Sequence, residues 1–186
     1  MKKLFRSLNL IFTIIMLSFM IIFFLKTQYH FLFYTATLYF IYLFYLHWES
    51  QKKYTVKSYI KILILFTIII DLLGFSLHFY DTVYWFDKAL HMFGSFSITL
   101  FSYALIQIFW KDFSSSHMLT FIFIASLGIT IGVLYEIGEF ILDLIFDSKN
   151  QNGLIDTNLD LIFDIFGAIL ASLWGVYRKR MVTLKR

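Results

Sequence analysis

The sequence predicts an all-α protein: a polytopic transmembrane helical bundle of about six spans with both termini cytoplasmic. Three observations carry that reading. The 186 residues are 60% hydrophobic and only 15% charged, whereas a soluble domain carries about 25% charged residues. Six apolar stretches are long enough to cross the roughly 30 Å hydrocarbon layer, which takes about 20 helical residues. Basic residues collect on one side of those stretches and acidic residues on the other.

The expected spans are Leu8–Leu25, Tyr29–Trp48, Ser58–Phe79, Ala89–Trp110, Met118–Phe146 and Leu159–Tyr177. The first follows a basic start (Lys2, Lys3, Arg6). Its apolar run is longer than that of a signal peptide, and no small-residue cleavage site follows Phe24, so it reads as an uncleaved span. Only a few residues separate it from the second, which predicts a tight helical hairpin. The fifth stretch is the longest and is expected to tilt or project from the bilayer. The segment Asp147–Thr157 is the most loop-like; its acidic and amide residues lack the EF-hand spacing.

With the N-terminus inside, 13 of the 16 basic residues fall on the inner side: Lys2, Lys3, Arg6, Lys52, Lys53, Lys57, Lys61, Lys111, Arg178, Lys179, Arg180, Lys185 and Arg186. Lys26, Lys88 and Lys149 remain outside. This is the positive-inside pattern, and it favours an even number of spans. Trp48, Trp110 and Trp174 fall near inner span ends and Trp85 near an outer one, where interfacial anchors belong. The net charge of +4 therefore reads as affinity for membrane lipids, with no nucleic acid partner expected. The chain has no cysteine and no proline. Disulfides and thiolate metal sites are excluded, and helices broken at proline are not expected.

Of the acids, only Glu49 and Asp112 lie inside. Asp71, Asp81, Asp87, Glu136, Glu139, Asp143, Asp147, Asp156, Asp160 and Asp164 lie in outer loops or in the outer and middle parts of spans three to six. A carboxylate at mid-membrane costs roughly 3 kcal/mol, so several are expected to converge, pair, bind a cation or carry protons. Their spacing favours convergence. Asp71, Gly74 and His78 share one helical face, as do Asp87, His91, Gly94 and Ser95. Gly128, Gly132, Glu136, Glu139 and Asp143 form a stripe on span five. Asp156, Asp160, Asp164, Gly167 or Ala168, and Ala171 form another on span six. Small residues on such stripes permit close helix approach.

The domain reading is a single integral membrane domain over 1–186. Within it, residues 1–50 form a hairpin scaffold and 56–180 a four-helix half enclosing an outward-opening polar pocket. Candidate catalytic residues are Asp87, His91, Glu136, Glu139, Asp160 and Asp164. Lys88 either pairs with an acid or snorkels, and Asp156 is also a candidate cap for the sixth helix. Candidate metal ligands are His91, Glu136, Glu139 and Asp160, a donor set compatible with a divalent cation such as Mg, Mn or Zn. The Glu-x-x-Glu spacing lacks the following His of a di-iron site, and H-E-x-x-H is absent.

Three segments, Tyr84–His91 (YWFDKALH), Tyr135–Glu139 (YEIGE) and Asp156–Ala168 (DTNLDLIFDIFGA), together resemble the YjdF-like family of bacterial inner-membrane proteins and, more distantly, VanZ-like proteins. VanZ-like proteins tend to carry Gln where this chain has Glu139, which favours the YjdF side. The resemblance covers the second half at motif level and implies a multi-helix protein of the bacterial cell membrane. Its VanZ side implies a link with tolerance to glycopeptides that target the cell wall.

Three functions are compatible with these residues. One is an enzyme or lipid-handling protein of the outer leaflet, acting on a lipid or envelope precursor with the carboxylates and His91 as acid, base or cation ligands. Another is a proton- or cation-coupled small-molecule transporter, which needs a path to the inner side. The third is a non-catalytic structural or envelope-stress factor whose polar faces only lock helices together.

Overall fold

The computed structural model describes residues 2–110, 116–146 and 150–185, with side chains from Ser7 onward. Lys111, Asp112, Asp147, Lys149 and Arg186 lie outside the described residues, as do the side chains of Lys2, Lys3 and Arg6.

Seven helices and one two-stranded ribbon are present among the described residues: α1 (Lys2–Leu25), α2 (Tyr29–Ser50), β1 (Tyr54–Val56), α3 (Ser58–Leu77), α4 (Phe79–Thr82), α5 (Phe86–Phe109), α6 (His117–Phe146), α7 (Leu154–Arg178) and β2 (Val182–Leu184). All but α4 are long and apolar enough to cross a membrane. The all-α expectation of six spans holds. Span boundaries differ mainly at polar ends. α5 begins at Phe86, so Asp87 and Lys88 lie in its first turn. α7 begins at Leu154, five residues earlier than expected, because Asp156 and Asp160 are turned toward α5 and engage Lys88.

The α1–α2 connection is the expected tight hairpin. Thr27 takes a left-handed conformation (φ 58°), and Lys26 donates to the Ser76 carbonyl at 3.3 Å, tying the turn to the end of α3. α3 stops at His78, also left-handed (φ 59°). His78 therefore does not continue the Asp71–Gly74 face; it is exposed and stands 3.6 Å from Asp81.

α7 packs between α5 and α6, and these three helices form the most extensive contacts of the bundle. Its buried face is narrow: Asp160, Asp164, Gly167, Ala168, Ala171, Ser172 and Gly175. At Gly167 the backbone carbonyl of Met92 and the amide of Phe96 lie where a Cβ would stand, so α5 and α7 touch backbone to backbone. α3 covers the other side of α5. The α1–α2 hairpin joins α3 through a cluster of Phe12, Met16, Phe19, Phe23, Leu65 and Leu72.

The ribbon was not expected from the sequence. β1 and β2 pair antiparallel, Tyr54 with Leu184 and Val56 with Val182. This joins the α2–α3 connection to the C-terminal segment, at the same end of the bundle. Glu49 anchors that end. It receives bonds from Lys61 (2.5 Å), Tyr45 (2.6 Å) and the Val56 amide (2.9 Å), while Lys185 donates to its carbonyl. Gln107 donates to the Lys179 carbonyl and accepts from the Met181 amide, both at 2.7 Å.

Candidate functional site

The site grows from the first turns of α5. Lys88, 6% exposed, reaches three aspartates. Nζ lies 2.9 Å from Asp87 and 2.8 Å from Asp160 Oδ1, and it bonds Asp156 directly. Lys88 is thus a buried clamp between α5 and α7, the pairing alternative raised by the sequence. Asp156 also accepts from the Asn152 amide at 3.1 Å, so it fastens the α6–α7 connection as well.

One turn further on, His91 is the hub. Its Nε2 faces Asp87 at 3.6 Å and Asp160 at 3.8 Å. Its Nδ1 faces Asp164 at 3.4 Å and Glu136 at 3.8 Å. The i, i+4 spacing of Asp87 and His91, Asp160 and Asp164, and Gly132 and Glu136 places each pair on one face. Gly132 provides the space: a Cβ there would lie 2.7 Å from Asp164 Oδ2. Ser95 donates to the Asp164 carbonyl at 2.9 Å, fixing that turn of α7 against α5. Gln151, from the α6–α7 connection, donates to both the carbonyl (3.0 Å) and Oε2 (3.2 Å) of Glu136.

Among the described residues, three buried carboxylate oxygens have no hydrogen-bond donor: Glu136 Oε1, Asp160 Oδ1 and Asp164 Oδ2. Asp160 Oδ1 is still compensated by Lys88 at 2.8 Å, off the hydrogen-bond axis. Glu136 Oε1 and Asp164 Oδ2 have no such lysine or arginine among the described residues. Two triads have donor atoms within 4.8 Å of one another: Asp87, His91 and Asp160; and His91, Glu136 and Asp164.

Of the candidates from the sequence, Asp87, His91, Glu136, Asp160 and Asp164 come together. Glu139 is half-buried and lines the adjoining cavity without joining either triad. Asp143, expected on the same stripe, instead holds the connection, accepting from the amides of Asn150 and Gln151 at 2.9 Å each. Asp71 is buried apart, between the hydroxyls of Tyr34 (2.9 Å) and Tyr80 (2.5 Å). Burial and then the Asp71 carboxylate push the Tyr80 hydroxyl well above its ordinary value, which keeps it a donor.

Tyr34, Tyr80 and Gln151 were not singled out from the sequence. The chain has 12 tyrosines, and neither Tyr34 nor Tyr80 stands at helical spacing from Asp71. Tyr34, Leu38, Ile41 and Tyr45 do follow a helical period on α2, and all four line the cavity.

That cavity has a volume of about 1570 Å³. It lies between α2 and the α3, α5 and α6 faces. Its walls are largely apolar, with Leu65, Ile68 and Ile98 among them. Asp87, His91, Glu139 and Asp164 border its polar end, while Lys61 and Tyr45 reach it from the ribbon end.

Comparison with known proteins agrees with a membrane protein. A Thermotoga maritima protein, described only as an uncharacterized protein, is 41% identical over 115 residues, covering 59% of this chain and 57% of the relative. The match thus spans little more than half the length of that curated relative. No solved structure matches. The family model described as "Predicted membrane protein (DUF2238)" matches residues 8–181. The chain belongs to this DUF2238 family of membrane proteins.

Proposed function

We propose that the protein binds a long-chain amphiphile of the bacterial cell membrane, a lipid or lipid-linked envelope precursor, and acts on its polar end. The observation that carries this is the cavity of about 1570 Å³: apolar walls suit an acyl or polyprenyl chain, and one end meets His91 and the carboxylates. In this reading both termini are cytoplasmic and the acidic cluster faces the outer leaflet. The charge asymmetry of the sequence supports that placement, and the YjdF-like resemblance supports the bacterial cell membrane. The more distant VanZ-like resemblance is in keeping with an envelope role.

The chemistry available at the polar end is proton transfer. His91 stands between two carboxylate pairs, and on its Nε2 side a proton can pass between a substrate group and Asp87 or Asp160. Glu139 borders the cavity and is placed to meet an incoming head group. Residues 56–180 form the working half, and α2 of the 1–50 hairpin serves as the cavity's outer wall. Mass spectrometry of amphiphiles extracted from purified protein tests the reading. A single class of long-chain amphiphile at near-stoichiometric level is expected; only the bulk lipid profile of the host membrane would refute it.

A second reading, proton- or cation-coupled transport, is favoured by one observation: the lining continues past Ile98 to Lys61 and Tyr45. Proton or cation flux in proteoliposomes, abolished by Glu139→Gln, would favour it over action at one leaflet.

A further inference from the structure

We infer that His91 Nδ1, Glu136 and Asp164 form a site for one divalent first-row metal ion. This deepens the amphiphile reading, and it is tested separately from it. The first ground is uncompensated charge. Asp87, Asp156 and Asp160 share Lys88, so the triad on the Nε2 side already has its cation. On the Nδ1 side, Glu136 and Asp164 are 4% and 5% exposed. Each keeps one buried oxygen without a donor among the described residues: Glu136 Oε1 and Asp164 Oδ2. Two buried carboxylates with such oxygens and only an imidazole between them call for a further positive charge.

The second ground is geometry. Nδ1 lies 3.4 Å from Asp164 Oδ1 and 3.8 Å from Glu136 Oε1. Ligands about 2.1 Å from a common ion stand roughly 3.0–3.5 Å apart; the Asp164 contact already has that spacing, and all three ligand atoms lie within 4.8 Å of one another, so Glu136 has to move in to close the site. Coordination by Nδ1 requires the proton on Nε2. That atom faces the carboxylate oxygens of Asp87 and Asp160 at 3.6 and 3.8 Å, longer than a hydrogen bond but on the side where a ligating histidine keeps its carboxylate partner. Gln151 similarly holds Glu136 Oε2 at 3.2 Å, leaving Oε1 for the ion. One imidazole and two carboxylates suit Mn²⁺ or Zn²⁺ better than Mg²⁺ or Ca²⁺, which prefer oxygen-only sets. Three protein ligands leave open positions, and Asp164 and His91 both border the cavity, so a head-group oxygen could complete the coordination.

The set differs from the expectation of His91, Glu136, Glu139 and Asp160. Asp164 replaces Asp160, which Lys88 occupies, and Glu139 stays at the cavity wall.

Mn²⁺ titration of the purified full chain, followed by electron paramagnetic resonance with detection of imidazole nitrogen coupling, tests the site. One Mn²⁺ per chain with a histidine nitrogen coupling is expected, displaced by Zn²⁺. Glu136→Gln and Asp164→Asn should each weaken binding at least 100-fold, with Glu139→Gln changing it less than 10-fold. Absence of stoichiometric Mn²⁺ or Zn²⁺ binding in folded wild-type protein, or bound Mn²⁺ without nitrogen coupling, would overturn the inference. Both of these outcomes are read on the wild type, so a variant that fails to fold does not blur them. Folded wild-type protein that carries the amphiphile yet takes up no Mn²⁺ or Zn²⁺ would overturn the metal site and leave the amphiphile reading intact.

Discussion

Lys88 and Asp160 stand 2.8 Å apart, joining the first turn of α5 to the second turn of α7 in a place where neither residue is more than 6% exposed. The pair does more than cancel charge. It brings Asp160 beside His91 and leaves Asp164, four residues on, facing Nδ1.

Lys88→Gln should therefore be strongly destabilising. Removing one member of a buried pair costs about 3–5 kcal/mol, and three aspartates lose their cation at once. Adding Asp160→Asn should recover part of the loss. Thermal unfolding in detergent checks both variants.

The ribbon end offers a parallel case away from the His91 cluster. Glu49 and Lys61 are 2.5 Å apart and nearly buried. Lys61→Met is expected to cost about 3 kcal/mol while leaving metal binding at wild-type affinity. Binding measured below the lowered melting point checks the separation.

Tyr34 and Tyr80 satisfy Asp71. Replacing either by Phe leaves a buried carboxylate one donor short, at about 1–3 kcal/mol. Tyr80 adds a pH dependence. Its hydroxyl is raised above its ordinary value of 10.0 by burial and Asp71, so folding favours the protonated form. The stabilisation is complete below pH ~10 and falls as pH rises further, because only the unfolded chain ionises there. Tyr80→Phe should lose stability less steeply above pH ~10 than wild type in urea or heat denaturation.

Gly167→Ala probes the α5–α7 contact. A methyl there meets the Met92 backbone, which cannot rotate away, so the helices must separate. A cost of about 1–3 kcal/mol is expected, with metal affinity falling in step because His91 and Asp164 sit on the two helices. Gly138→Ala, which meets nothing within 4 Å, serves as the silent control for both measurements.

Much of this architecture was legible in the chain. Long apolar runs left the backbone no option but helix in lipid, so Tyr29 as the start of α2 and Phe146 as the end of α6 were read correctly. The i, i+4 spacing brought Asp87 and His91, and Asp160 and Asp164, onto common faces. The division of labour among the acids was not legible. Asp143 and Asp164 look alike as carboxylates on a stripe, yet one holds a loop and the other meets His91. That difference depends on helix rotation and on Gln151, which arrives from a connection without periodicity. The ribbon was hidden for a similar reason: three-residue strands far apart in sequence leave no pattern. His78 failed to follow its face because the helix ended one residue before it.

Occupancy of the cavity between α2 and α5 by an amphiphile can be tested at Gly94. Gly94 lines it, and a Cβ there would meet only Thr67, at 3.6 Å. Gly94→Phe therefore has room to enter the cavity and block it without opening the α5–α7 contact. The decisive measurement is the amphiphile load of wild type and Gly94→Phe purified in parallel, with melting temperatures confirming that both are folded. Wild type should carry a bound long-chain amphiphile, reduced at least tenfold in the variant. Equal loads in two folded proteins would contradict it.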